Sequence, residues 1–265
     1  MRNKKILRYI RMICLVVMVV CLFKLGQAYY LSAQNKAEQE ALRDMVQTVE
    51  EDDSSENSEQ DEPAAVDIET QTDSYAILKK YTDLYRENGD VAGWLSIEGT
   101  RINYPVMQCE DDEYYLHHDF YGEESKYGCL YVRGRADLED GTNFVIYGHN
   151  MKDGSMFGDL DLYQQEEFYR EHSLISFDTL YEERTYEIVA AFPSQVYDED
   201  AEEFKYYQFY EAETEEEFNE FYENIEALSL YDTGVTAEFG DTFLTLSTCA
   251  YHVNDGRFVV VGKRR

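Results

Sequence analysis

Two segments of this chain hold residues that could do covalent chemistry. The stretch TLSTCAYHVNDGRFVVVGKRR ends one β-like run at Cys249 and opens the next at Arg257. The intervening AYHVNDG is short enough for a hairpin loop, so antiparallel pairing would set Cys249 beside Arg257. The thiolate is the reactive form of cysteine, and a neighbouring cation lowers the thiol pKa. Arginine keeps its charge at any ordinary pH, so it could stabilise an oxyanion or hold a substrate carbonyl but cannot act as a base. His149 is the best candidate for the missing proton donor. It ends the run NFVIYGH, precedes the loop-like NMKDG, and could protonate a leaving amine near neutrality. Taken alone, the three residues suit core packing about as well as catalysis.

The remaining histidines and cysteines have plainer readings. His252, three residues past Cys249, would point to the opposite face of a continuing strand. His117 and His118, in YYLHHDF, suit surface or packing roles, and His172 near a helix end would favour the dipole. Cys109, Cys129 and Cys249 are an odd number beyond the apolar segment, so at least one has no internal disulfide. Burial of Cys109 and Cys129 as small apolar side chains is preferred to a bridge between them. Without a C-x-x-C pair or a His pair at ligand spacing, no metal site is expected.

The elements that must position these residues follow from pattern. The basic N-terminus MRNKKILRYIR (residues 1–11) precedes the apolar MICLVVMVVCLF, and the span 12–31 is either a transmembrane helix or a signal-peptide core with a GQA cleavage site. In both cases the basic end is cytoplasmic and the rest lies outside. Residues 32–73 are acidic and polar, and read as a flexible tether with a reach of about 35 Å. Within it AQNKAEQEALRDMVQTVE could be helical, with Leu42, Met45 and Val49 marking a thin apolar face. A folded domain is expected over 74–265: a helix through Ile77, Leu78, Tyr81, Leu84 and Tyr85, then strands in VAGWLSI, INYPVMQ, GCLYVR, NFVIYGH, LISFDT, TYEIVAAFPS, TFLTLSTC and RFVVVGK. Helical stretches are read in SMFGDLDLYQQEEFYREH and in TEEEFNEFYENIEALSL, where Thr214 and Glu217 form a capping box. Eight short strands with few helices predict a mainly β, closed barrel, with polar Ser247 and Thr248 placing a site at its mouth. The net charge of −32, from 23 Lys and Arg against 55 Asp and Glu, argues against nucleic acid as a partner.

TLSTC followed by an Arg opening the last strand, with YGHNM about a hundred residues earlier, resembles the sortases, cysteine transpeptidases of Gram-positive cell surfaces. GWLSIEGTRINYPVMQ, YYLHHDFYG, MFGDL and the helix before TFLTLSTC resemble class B, and the likeness runs from about Ser74 to the C-terminus. The resemblance implies an eight-stranded sortase barrel with Cys249 as nucleophile, His149 as general acid and Arg257 as oxyanion or substrate stabiliser. It also implies thioester formation at the threonine of a C-terminal sorting signal on a secreted protein. Transfer would follow, to an amine of a peptidoglycan precursor or a pilin. Ser247, Thr248, Tyr147, Leu116 and Asp112 become substrate-binding candidates, although Asp112 stands where some relatives would carry an amide. The first three suit packing as well. The likeness also favours a retained membrane anchor with the catalytic domain outside, and implies no cofactor.

Three rival readings remain at this stage. An L,D-transpeptidase would place Arg directly behind Cys in an S-x-G-C-x-R pattern, unlike STCAYHVNDGR. A peptidase would give the acyl group to water, and a membrane-anchored binding module would leave Cys249 inert.

Overall fold

A computed structural model describes residues 2–55, 76–249 and 255–265, and the side chains of 11–47, 76–248 and 255–265. The chain divides into two compact units, Met1–Ala41 and Leu42–Arg265. The first is carried by helix α1 (Arg2–Ser55), in which the large apolar residues from Met12 to Phe23 are exposed. By length and composition this helix is long and apolar enough to cross a membrane.

The second unit is a closed barrel of eight strands: β1 (Val91–Ser96), β2 (Asn103–Gln108), β3 (Leu130–Val132), β4 (Asn143–Gly148), β5 (Leu174–Thr179), β6 (Thr185–Gln195), β7 (Phe243–Cys249) and β8 (Gly256–Arg264). Their order round the barrel is β1, β2, β3, β4, β7, β8, β6, β5, and β5 pairs with β1 to close it. All eight expected strands form. The pairs β2–β3 and β4–β7 are parallel, and the others are antiparallel.

The runs FVIY and FVVV lack polar alternation because β4, β7 and β8 are covered on both faces. Inside the barrel Phe144, Ile146, Leu244, Leu246, Phe258 and Val260 join the main core. On the outside Val145, Phe243, Val259 and Val261 pack against Phe218, Phe221 and Ile225 of helix α5 (Glu215–Leu228), whose capping box at Thr214 and Glu217 forms as expected. A two-sided apolar strand fixes its register firmly, since a slip of one residue would exchange its two faces.

Two expectations change. The sequence placed a flexible tether over residues 32–73, but α1 continues through Ser55 and the compact unit opens at Leu42 rather than at 74. Leu42 and Val46, one helical turn apart, are 0% and 7% exposed against Tyr81, Leu84, Val91, Trp94 and Met107. Arg43 adds an Nε–H bond to the Asn103 carbonyl at 3.0 Å and lies 5.3 Å from the Tyr104 ring centre. Most of the acidic run expected to be tether lies outside the described residues.

The stretch read as one helix over SMFGDLDLYQQEEFYREH is instead a 3₁₀ turn (Gly158–Gln164) followed by a short α4 (Glu166–Glu171). Phe157, Leu160 and Tyr163, spaced by three, are all buried, which suits the tighter period. The first expected helix forms as α2 (Thr82–Glu87), and the short helix α3 (Tyr114–His117) had no sequence counterpart. Cys109 is half-buried and Cys129 buried, and no disulfide joins the two. Burial pushes the Cys109 thiol upward in pKa, so it is protonated at neutral pH.

If residues 42–46 belong to the folded unit, Leu42→Ala should lower unfolding free energy by about 2–4 kcal/mol. Glu40→Ala, at an exposed position, should change it by less than about 0.5 kcal/mol. Urea denaturation of the full chain in detergent, followed by Trp94 fluorescence, measures both. Equal midpoints for the two variants would return residues 42–46 to the tether.

Candidate active site

The ladder of β4, β7 and β8 decides where the three candidate residues sit. In the parallel pair, Tyr147 is level with Ser247 and Gly148 with Thr248. In the antiparallel pair, Ser247 is level with Val259, Thr248 with Phe258, and Cys249 with Arg257. Tyr147, Ser247 and Val259 share the outer face, because their neighbours Ile146, Leu246, Phe258 and Val260 point into the barrel. Alternation carries Arg257 to that outer face, Cys249 is level with it along the ladder, and His149 follows one residue past the end of β4. The site therefore lies on the flank of the barrel rather than at its mouth. A strand ending in polar residues is compatible with either location, and only the neighbours' burial tells them apart. The side chain of Cys249, together with residue His252 and the loop at 250–254, is outside the described residues.

His149 is half-buried and held from two sides. Its Nε2 lies 2.8 Å from the Leu116 carbonyl. A carbonyl only accepts, so Nε2 carries the proton and the neutral ring keeps its lone pair on Nδ1. Its own carbonyl accepts from Phe157 N–H at 2.9 Å, closing the loop that Asn150 and Met156 bridge. That loop is pinned further. Asp159, itself buried, takes Arg101 Nη2–H at 2.6 Å and Arg101 N–H at 2.8 Å, while Arg101 Nη1 donates to the Asp153 carbonyl. Arg257, half-exposed, folds back so that Nη1 donates to the carbonyls of Gly256 at 2.9 Å and Asp255 at 3.2 Å.

The five substrate-binding candidates separate. Thr248 faces the barrel interior, is 1% exposed and gives its hydroxyl to the Gly148 carbonyl at 2.8 Å, so it does not line the outer face. Ser247 is on the right face but also 1% exposed, its Oγ 2.7 Å from the Tyr206 hydroxyl. Leu116 meets the site through its carbonyl. Asp112, half-buried, accepts from Gly134 N–H at 2.9 Å and pairs with Arg133 at 3.8 Å. Tyr147 forms the floor two residues before His149, stacked on Tyr131 at 5.5 Å.

The Sortase domain family matches residues 95–265. Sortase B of Listeria monocytogenes is 34% identical over 189 residues, covering 68% of this chain and 72% of the relative. The chain belongs to the sortase family. Its likeness to class B extends further: Sortase B of Staphylococcus aureus is 27% identical over 266 residues, covering 99% of this chain and 98% of the relative. Among solved structures, a Staphylococcus aureus sortase B–substrate complex superposes with a TM-score of 0.73 at 26% identity, covering 89% of this chain and 98% of that one. Sortase B from Bacillus anthracis in complex with AAEK1 gives 0.70 at 29% identity, covering 89% and 98%. Sortases are cell-wall transpeptidases, so the L,D-transpeptidase alternative falls away.

Two features of this sortase site escaped the sequence. Tyr206 ties the segment before α5 to the β7 strand through Ser247, and nothing in KYYQFY marks which tyrosine reaches that far. The Leu116 carbonyl is a backbone group, invisible to any reading of side-chain types.

Gly148 permits the close approach that brings β4 to the site. A Cβ there would collide with Leu130 Cδ2 and lie 2.8 Å from Phe157 Cδ2. Gly148→Ala is expected to cost about 1–3 kcal/mol and to shift His149. Thermal denaturation and the imidazole NMR shifts of His149 check this, and unchanged shifts would show that the strand end absorbs the methyl group.

Proposed function

We propose that this sortase cleaves a C-terminal sorting signal at a threonine carbonyl and transfers the protein to an amine, with Cys249 as nucleophile, His149 as acid and Arg257 as stabiliser. The observation that carries the reading is the shared register of β4, β7 and β8, with Cys249 level with Arg257 and His149 one step past Gly148. Directly opposed residues in such ladders have Cβ atoms about 4.5–5.5 Å apart, the reach needed for a thiolate, an imidazolium and a guanidinium to act on one carbonyl. The substrate complex of the Staphylococcus aureus sortase B supports a sorting-signal-binding role for this chain.

The Cys249 thiol gives its proton to His149 Nδ1, the nitrogen left open by the Leu116 bond, producing a thiolate–imidazolium pair. The thiolate attacks the threonine carbonyl carbon, and the negative oxygen that forms is met by Arg257. As the carbon–nitrogen bond breaks, the imidazolium returns the proton to the departing amine, leaving a thioester on Cys249. The acceptor amine adds to the thioester carbonyl, surrenders a proton to His149, and expels the thiolate. An amine of a peptidoglycan precursor or of a pilin lysine fits this second half.

The N-terminal helix serves as the anchor in this reading. Arg2, Lys4, Lys5, Arg8 and Arg11 stay cytoplasmic and the barrel stands outside, near substrates that are themselves still at the membrane.

Incubating the full chain in detergent with threonine-containing sorting-signal peptides and candidate amines tests this by mass spectrometry. The expected result is a thioester adduct on Cys249 and a ligated product. Cys249→Ala should abolish both, His149→Ala should slow turnover by about 10²–10⁴-fold, and Arg257→Ala by about 10²–10³-fold. Free acid as the sole product in the presence of a true acceptor would make the protein a peptidase. No adduct with any peptide would make it a binding module.

A further inference from the structure

The floor beside the three residues carries hydrogen-bond donors that the transfer reaction leaves unused. The Tyr147 hydroxyl is buried and has no hydrogen-bond partner among the described residues. Buried tyrosine hydroxyls usually find one, because leaving such a group unpaired costs about 1–3 kcal/mol. Burial pushes its ionisation far above the ordinary tyrosine range, with Arg133 pulling the other way, so it is a neutral donor at any working pH. The Arg133 guanidinium lies 5.1 Å from the centre of the same ring. Arg133 follows β3 directly and is half-exposed. Its ion pair with Asp112 Oδ2 is 3.8 Å long, well beyond a charge-assisted hydrogen bond. Asp112 is engaged elsewhere, its Oδ1 accepting the Gly134 N–H.

Arg135 stands behind, 4.4 Å over the Tyr210 ring and donating Nη2–H to its hydroxyl at 2.9 Å. In a chain with a net charge of −32, two arginines and an orphan phenol at one end of the site are a local reversal of character. Arg133 shares the Tyr210 hydroxyl with Arg135, and the donors of the two guanidinium groups outnumber that one acceptor; with the Tyr147 O–H they suit a carboxylate. Tyr147 is two residues along β4 from His149, about 7 Å, which an extended peptide spans in two residues.

We propose that Arg133 and Tyr147 form a subsite for an acidic side chain of the sorting signal, within two residues of the scissile threonine. This rests on reading the outer face as the sorting-signal site. The carboxylate accepts from Arg133 in place of the long contact to Asp112, and Tyr147 donates the remaining bond.

The test separates binding from chemistry. Full-length Cys249→Ala protein in detergent is titrated with fluorescent threonine peptides carrying Asp or Glu, Asn or Gln, Ala, or Lys at each of the two positions on either side of the threonine. At one position the acidic peptide should bind about tenfold tighter than its amide counterpart. Arg133→Gln should erase that preference, and Tyr147→Phe should reduce it by about threefold. Arg133→Glu should turn the preference towards Lys, which a merely structural role would not do. Equal binding of acidic and amide peptides at every position, uniform weakening of all peptides by Arg133→Gln, or no binding at all would overturn the subsite. The same peptides are then offered to the wild-type chain. An acidic preference in binding without a thioester on Cys249 would uphold the subsite and refute the transpeptidase reading. A thioester formed without any acidic preference would do the reverse.

Discussion

The register of three strands is the constraint from which the rest of the site follows. Residues 149, 249 and 257 belong to segments separated by up to a hundred positions, and no local interaction holds them together. The ladder does, and it is keyed by buried polar pairs as well as by apolar packing. Asn143, at the start of β4, donates its Nδ2–H to the Phe209 carbonyl and accepts the Thr245 hydroxyl at 2.8 Å. At the far end Thr248 donates to the Gly148 carbonyl at 2.8 Å. Each pair is satisfied in one register only, and a slip would leave buried donors and acceptors unpaired in addition to reversing the apolar faces. Register precision at both ends of β4 and β7 brings positions 249 and 257 level and sets His149 one step past Gly148.

The histidine needs a second device, because it stands just beyond the ladder. Its ring is fixed by a backbone carbonyl from the 109–118 segment and its main chain by the loop that returns at Phe157. That loop includes Met156 at a φ of 53°, an uncommon conformation for a residue with a side chain, and the surrounding contacts hold it there. Met156 is buried and its N–H donates to the Tyr104 hydroxyl at 3.2 Å. The Arg101–Asp159 ion pair fastens the same loop to the strand side of the barrel. The imidazole is thus oriented by groups from three separate elements, which limits its tautomer as well as its position.

How much of this was legible depended on whether the information was periodic. The eight strands could be read because alternation or a short apolar run bounded by Gly, Asp and Asn is a local signal, and the α5 capping box is a four-residue pattern. The adjacency of Cys249 and Arg257 could be read from the hairpin spacing alone. What failed needed three-dimensional neighbours. Thr248 and Ser247 are adjacent and equally polar, yet one faces the barrel interior and the other the α5 side. Leu42, Met45 and Val49 marked too thin a face to read as core, and the structure buries Leu42 and Val46 instead, since the barrel wall that completes the face comes from Tyr81, Trp94 and Met107, far along the chain. The flank location of the site was hidden for the same reason: outer-face burial by α5 cannot be inferred from β7 itself.

Charge adds a last constraint on how such a site can work. The whole chain is strongly acidic, but at physiological ionic strength fields between exposed charges decay over about 8 Å. The carboxylates of distant surfaces therefore contribute little at the groove, where Arg257, Arg133 and Arg135 are the nearby cations. Each of the three is already engaged: Arg257 with carbonyls of its own turn, Arg133 with an aromatic face, the Tyr210 hydroxyl and a long ion pair, Arg135 with the same phenol. Such contacts hold the guanidinium groups in place while leaving donor capacity, since five N–H groups are not exhausted by one or two carbonyls. A tighter salt bridge at any of these positions would neutralise that local positive field. The acidic character of the chain is thus kept out of the groove by geometry, with weak partners standing where strong ones would quench the site.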